Sequence, residues 1–124
     1  MNRARVIQGS SCLFAAGAVI FGAFGAHFLK DQLSDRSLEV FHTGVTYQFW
    51  HAMGLWLAGD AVRTGRPGGI ASLFFAVGII LFSGSLYTMA ISGETWLGAV
   101  TPIGGVCFII GWALLARAVL HAKH

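Results

Sequence analysis

The sequence predicts an all-α integral membrane protein, a four-helix up-down-up-down bundle with both termini on the cytoplasmic side. Three observations lead there. The 124-residue chain is 56% apolar and only 10% charged, against roughly 25% charged residues in soluble domains. Four stretches, 6–29, 40–59, 67–93 and 95–116, contain no Asp, Glu, Lys or Arg, and each meets the ~20 mostly apolar residues that a helix needs to cross a ~30 Å hydrocarbon core. The charged connections between them are short, so neighbouring helices must run antiparallel.

Taken in order, the expected helices are about 6–29, 38–61, 68–91 and 97–119, all within one transmembrane domain spanning 1–124. The first charge-free run is longer than the ~7–15 apolar residues of a secretory signal core, so it is expected to be retained. Its Ala15, Ala18, Gly22 and Gly25 step by three, four and three residues, with Ala26 beside them. That spacing places small residues on one face, where helix backbones approach closely in lipid. Ser34 or Asp35 can cap the second helix, so it is expected to begin before its apolar stretch does. Gly65, Pro67, Gly68 and Gly69 mark a tight turn before the third helix, in which Gly78 and Gly84 are further packing candidates. On the fourth helix Gly104 and Gly111 share a face, and Gly105 widens the groove. These glycines serve packing within the bundle or a homo-oligomer surface.

Orientation follows from Lys and Arg, which concentrate in cytoplasmic segments. Arg3, Arg5, Arg63, Arg66, Arg117 and Lys123 fall on one side, against Lys30 and Arg36 on the other. The outer connections carry Asp31, Asp35, Glu39 and Glu94, and Trp96 stands where an interfacial aromatic belongs. The formal charge of +3 is therefore a topology signal. No basic stripe with interleaved aromatics points to nucleic acid. Cys12 and Cys107 lie singly in apolar segments, without disulfide or metal spacing.

The polar residues within the spans fall mostly toward the outer side. His27 is near the outer end of the first helix. Thr43, Tyr47 and His51 step by four along one face of the second, with Gln48 adjacent. Ser83, Ser85 and Tyr87 lie in the outer half of the third, and Thr101 with Pro102 opens the fourth. Gln8, Ser10, Ser11 and Ser72 are the exceptions in the cytoplasmic halves. Unpaired polar groups are costly in hydrocarbon, so these side chains are expected to face one another in a cluster centred on His27, Tyr47, Gln48, His51 and Tyr87. The cluster is either a hydrogen-bond network that sets helix register or a pocket for a polar ligand, a lipid headgroup or a proton. His27 and His51 lie at different depths, a poor arrangement for haem ligation. No cofactor or metal is expected, and no catalytic acid pair, nucleophile elbow or phosphate loop is present.

Four strings occur in order: GAFGAH from Gly22, HTGVTYQFWHAMGL from His42, FSGSLY from Phe82 and TPIGG from Thr101. Together they resemble the domain-of-unknown-function family 423 of small bacterial membrane proteins, to which the eukaryotic transmembrane protein 256 is also similar. The resemblance implies a four-helix, multi-pass bacterial inner-membrane protein and supplies no activity. Its matching positions include Gly22, Gly25, His27, Thr43, Gly44, Tyr47, Gln48, His51, Ser83, Gly84, Ser85, Tyr87, Thr101, Pro102 and Gly105. They coincide with the polar cluster.

The expected function is a non-enzymatic structural or accessory component, packing with itself or with a larger complex in the lipid bilayer. The alternative is an oligomeric small transporter or channel that uses the outer polar cluster. That alternative lacks a deeply placed carboxylate, Asp60 being close to the cytoplasmic boundary.

Overall fold

A computed structural model describes residues 2–121, which form four long helices. Helix α1 is Arg3–Leu29, begun by Asn2, whose side chain accepts from the Arg5 amide at 2.9 Å. Helix α2 is Asp35–Arg63. Ser34 is its cap, accepting from the Ser37 amide at 3.1 Å, and Asp35 adds negative charge where the helix dipole favours it. Helix α3 is Gly69–Ser92. It ends at Gly93, whose φ of 77° is a left-handed conformation that suits glycine. Helix α4 is Thr95–Leu120, opening with a 3-10 turn over Thr95–Ala99 and continuing as α-helix from Thr101 with Pro102 in its first turn, where a missing amide costs nothing.

Helices α1 and α3 each contain one π-turn, Phe21–Gly25 and Ile79–Ser83. Each inserts a residue into the α-helical repeat and re-phases the faces on either side of it. Both turns lie against α2 near Phe41 and Gly44, where Gly25 meets the Phe41 ring and Ser83 meets the Gly44 carbonyl.

Every sequential pair packs antiparallel. Along α1 and α2, Gly59 lies on Ile7 and Gln8, Ser11 on Ala52, Gly17 on Gln48, Gly22 on Val45, and Gly25 on Phe41. Along α2 and α3, Ala58 meets Gly68, Gly54 meets Phe75, and Gly44 meets Tyr87. Along α3 and α4, Phe75 meets Gly111, Gly78 meets Phe108, and Phe82 meets Gly104. Helix α2 is central, since it also reaches α4 through His51 on Phe108. The start of α1, the end of α2, the start of α3 and the end of α4 therefore share one end of the bundle, with Arg3, Arg5, Arg63, Arg66 and Arg117. Lys30 and Arg36 are at the other. Lys123 and His124 lie outside the described residues.

The core joins Leu55, Ala58 and Ala61 of α2 to Ala71, Phe75 and Ile79 of α3 and Phe108 and Leu115 of α4. Over Arg3–Ile20, helix α1 buries Ala4, Ser11 and Ala18, spaced by seven residues as in a coiled-coil seam. Small residues set the distances. A Cβ on Gly104 would come within 2.8 Å of the Phe82 Cα, and one on Gly111 within 3.0 Å of the Phe75 ring. Ala18, Gly22 and Gly25 do face α2, as their spacing predicts, with Ala15 half-buried beside them. Gly84 is a correction: a Cβ there would meet nothing within 4 Å, so no neighbouring helix requires a glycine at that position.

Three helices, α1, α3 and α4, are long and apolar enough to cross a membrane. Helix α2, expected as a fourth such segment, is not among them. Its 29 residues reach roughly 43 Å at ~1.5 Å per residue, so length is ample. Tyr47, Gln48 and His51 lower its hydropathy instead, and it tolerates them because α1, α3 and α4 surround that face.

Candidate functional site

The polar side chains form a column of helix-to-helix bonds along α2, with Gln48 as its hub. Gln48 is 6% exposed. Its Nε2 donates to the Phe14 carbonyl on α1 at 2.8 Å, and its Oε1 accepts from the Tyr87 hydroxyl on α3 at 2.6 Å. One carboxamide thus ties three helices together. Two glycines make room for it. A Cβ on Gly17 would stand 3.1 Å from Nε2, and one on Gly44 would stand 2.7 Å from the Tyr87 ring. Phe21 and Phe41 wall the ring of Tyr87, with centroids 4.9 and 5.0 Å away.

Two further bonds extend the column and a third joins α3 to α4. Ser83 donates to the Gly44 carbonyl at 2.6 Å, and Ser11 donates to the Ala52 carbonyl at 2.7 Å. The Ser85 and Thr101 hydroxyls pair at 2.6 Å between α3 and α4. A helix carbonyl keeps a second lone pair beyond its own ladder bond, so a serine on the next helix can use it without breaking either helix. Among the described residues, every fully buried side-chain nitrogen or oxygen has a partner.

His51 is 5% exposed. Its Nδ1 carries the ring proton and donates to the Tyr47 carbonyl at 2.7 Å, since a carbonyl can only accept. The imidazole lies flat on Phe108, centroids 3.5 Å apart and planes within 9°, with Phe75 and Trp112 at its sides. Tyr47 supplies its carbonyl and its ring, which packs on Phe82 at 4.6 Å.

The structure therefore brings together Gln48, Tyr87, Ser83, Ser85, Thr101, His51 and Tyr47 of the residues expected to converge. Two expectations are corrected. His27 is exposed near the end of α1, in edge contact with Phe28. Thr43 is exposed and bonds the Glu39 carbonyl of its own helix at 3.0 Å. Gln48 lies at the middle of α2, and Ser11, one of the exceptions noted in the sequence, bonds α2 beyond it toward the arginine-rich end. Ser11 was legible as a polar exception within the first span, but its acceptor on α2 was not. Among the described residues, no group of three His, Cys, Asp or Glu side chains could hold a metal ion.

This architecture defines a small polytopic helical membrane protein in which Gln48, Tyr87, Ser11, Ser83, Ser85 and Thr101 join helices. The chain belongs to the family described as protein of unknown function DUF423, whose profile matches residues 21–105. It is 46% identical over 109 residues to the UPF0382 membrane protein YwdK of Bacillus subtilis, covering 83% of this chain and 86% of that one. A UPF0382 membrane protein of Staphylococcus epidermidis is also 46% identical, over 113 residues and 87% and 89% of the two chains. The UPF0382 inner membrane protein YgdD of Escherichia coli is 39% identical over 109 residues, 85% and 82% of the two. No solved structure matches the chain.

Proposed function

We propose that the protein is a non-enzymatic structural or accessory component of the bacterial inner membrane, assembling with itself or with a larger complex, with both ends of the chain on the cytoplasmic side. The orientation rests on the arginines gathered at one end of the bundle. The assembly rests on one observation. Helix α2 leaves a stripe uncovered, Thr46, Phe49, Trp50, Met53, Trp56 and Leu57, all within about a third of the helix circumference at ~3.6 residues per turn.

Trp50 is 55% exposed and sits beside Gln48, close to mid-depth. Tryptophan prefers the membrane interface, where its N–H finds water or headgroups. At mid-depth that donor needs a protein partner. A groove of about 320 Å³ between α1 and this stripe, lined by Ala18, Val19, Val45, Thr46, Phe49 and Trp50, offers room for an incoming side chain. The internal column of bonds supports the same reading, because Gln48 and Tyr87 already satisfy each other.

The test is the mass of the intact particle extracted from native membranes in mild detergent. A particle larger than one chain is expected, and it should shrink in the Trp50→Ala, Trp56→Ala double variant while helicity holds. A strictly monomeric, partnerless chain in native membranes overturns the proposal. Transport lost in a fully folded His51→Ala variant would favour a carrier instead.

A further inference from the structure

At the arginine-rich end, a cleft of about 390 Å³ opens between the start of α3 and the last turns of α4. Its floor and walls are apolar: Ile70, Ala71, Leu114 and Ala118. Its rim holds Arg3 from α1 and Arg117 from α4. Arg3 lies so close to Gly69 that a Cβ there would collide with its guanidinium. The glycine lets an arginine from another helix rest on the first turn of α3.

Two guanidinium groups line this cleft, and among the described residues no carboxylate lines it with them. The chain has five acidic residues, and Asp31, Asp35, Glu39 and Glu94 belong to the opposite end. Asp60 is the remaining one, and Arg63 engages it through both Nε and Nη2. Among the described residues that is the sole ion pair. Both side chains are exposed, so their N–H donors are open to an anion arriving at the membrane surface. The amides in the first turn of α3 add to this, since Gly68 caps the helix with no side-chain bond, leaving donors at a positive dipole end. The apolar floor calls for an occupant with hydrocarbon beneath its charge.

We infer that this cleft binds the phosphodiester of an anionic glycerophospholipid, with Arg3 and Arg117 holding the phosphate oxygens and Ile70 and Leu114 lying against the upper acyl chains. Guanidinium groups match phosphate through paired N–H donors. The site is separate from the α2 stripe, so it stands or falls independently of the assembly proposed above.

The experiment titrates the delipidated full chain in neutral detergent with short-chain phosphatidylglycerol, phosphatidylcholine or inorganic phosphate, counting bound molecules by native mass spectrometry. One phosphatidylglycerol is expected to bind in preference to phosphatidylcholine. In the Arg3→Gln, Arg117→Gln variant its affinity should fall about 30-fold, equivalent to ~2 kcal/mol at ~1 kcal/mol per basic side chain. Arg63→Gln, which removes a charge from the same end but not from the cleft, should leave it within about twofold. Circular dichroism verifies that the variants keep their helices. Equal loss in Arg63→Gln would reduce the effect to overall charge and overturn the site. So would undiminished binding in the double variant, equal binding of phosphatidylcholine, or inorganic phosphate binding as tightly as the lipid.

Discussion

Replacing Gln48 with Met tests the hub of the polar column. The thioether keeps the length and most of the volume of the side chain but removes both bonds, to the Phe14 carbonyl and from the Tyr87 hydroxyl. Interhelical side-chain bonds in lipid average ~0.6 kcal/mol, with a maximum near ~1.7. Phe14 keeps its own ladder bond, but the Tyr87 hydroxyl loses its Gln48 acceptor between Phe21 and Phe41, which adds ~1 kcal/mol. The expected loss is about 2 kcal/mol, within a range of ~1–3. Tyr87→Phe removes one of the same bonds and leaves Gln48 with a free Oε1, so it should cost about 1 kcal/mol. The two changes share a partner and should not add. In the double variant the loss should stay close to that of Gln48→Met alone, a coupling near ~1 kcal/mol. Reversible unfolding in mixed micelles, followed by helicity, measures all four corners of the cycle. Additive losses would refute the shared bond. Unchanged stability in Gln48→Met would refute the structural role of the column altogether.

Other substitutions probe separate parts of the fold. Gly104→Leu drives a side chain into the Phe82 backbone and should abolish folded yield in detergent, whereas Gly84→Ala, in open space, should shift stability by less than ~1 kcal/mol. His51→Ala empties the space between Phe75 and Phe108 and should cost ~2–4 kcal/mol in the same micelle assay, while His51→Phe, which keeps the stack on Phe108, should cost under half as much. For orientation, an impermeant thiol reagent should label Glu94→Cys in intact cells and Arg66→Cys only after permeabilisation, and the opposite pattern would invert the bundle.

Much of the candidate site was legible because hydrocarbon is a demanding solvent. Gln48, His51, Ser83 and Tyr87 had to face protein wherever they stood, and four antiparallel helices left few places for them to go. His27 and Thr43 escaped that logic for local reasons. His27 is close enough to the end of α1 to be exposed, and Thr43 satisfies its hydroxyl on its own helix. Ser11 stood out as polar, but nothing separated it from Ser10 beside it until its acceptor, the Ala52 carbonyl, was known.

The sequence by itself determined the helices, their caps and breakers, their alternating direction and the membrane as solvent, because these depend on composition, local hydrogen bonding and short connections. The faces of α1 and α4 were also in it, since small residues at helical spacing admit a close neighbour whatever that neighbour is. Tertiary structure alone decided that α2 is central and α1 peripheral, that the polar groups form a column along α2 reaching Ser11, and that no neighbouring helix requires a glycine at position 84. It also brought Arg3 and Arg117 to one cleft across more than a hundred residues of chain. The reason is the same throughout. Periodicity says which residues share a face, but the π-turns of α1 and α3 and the choice of partner helix decide what that face meets.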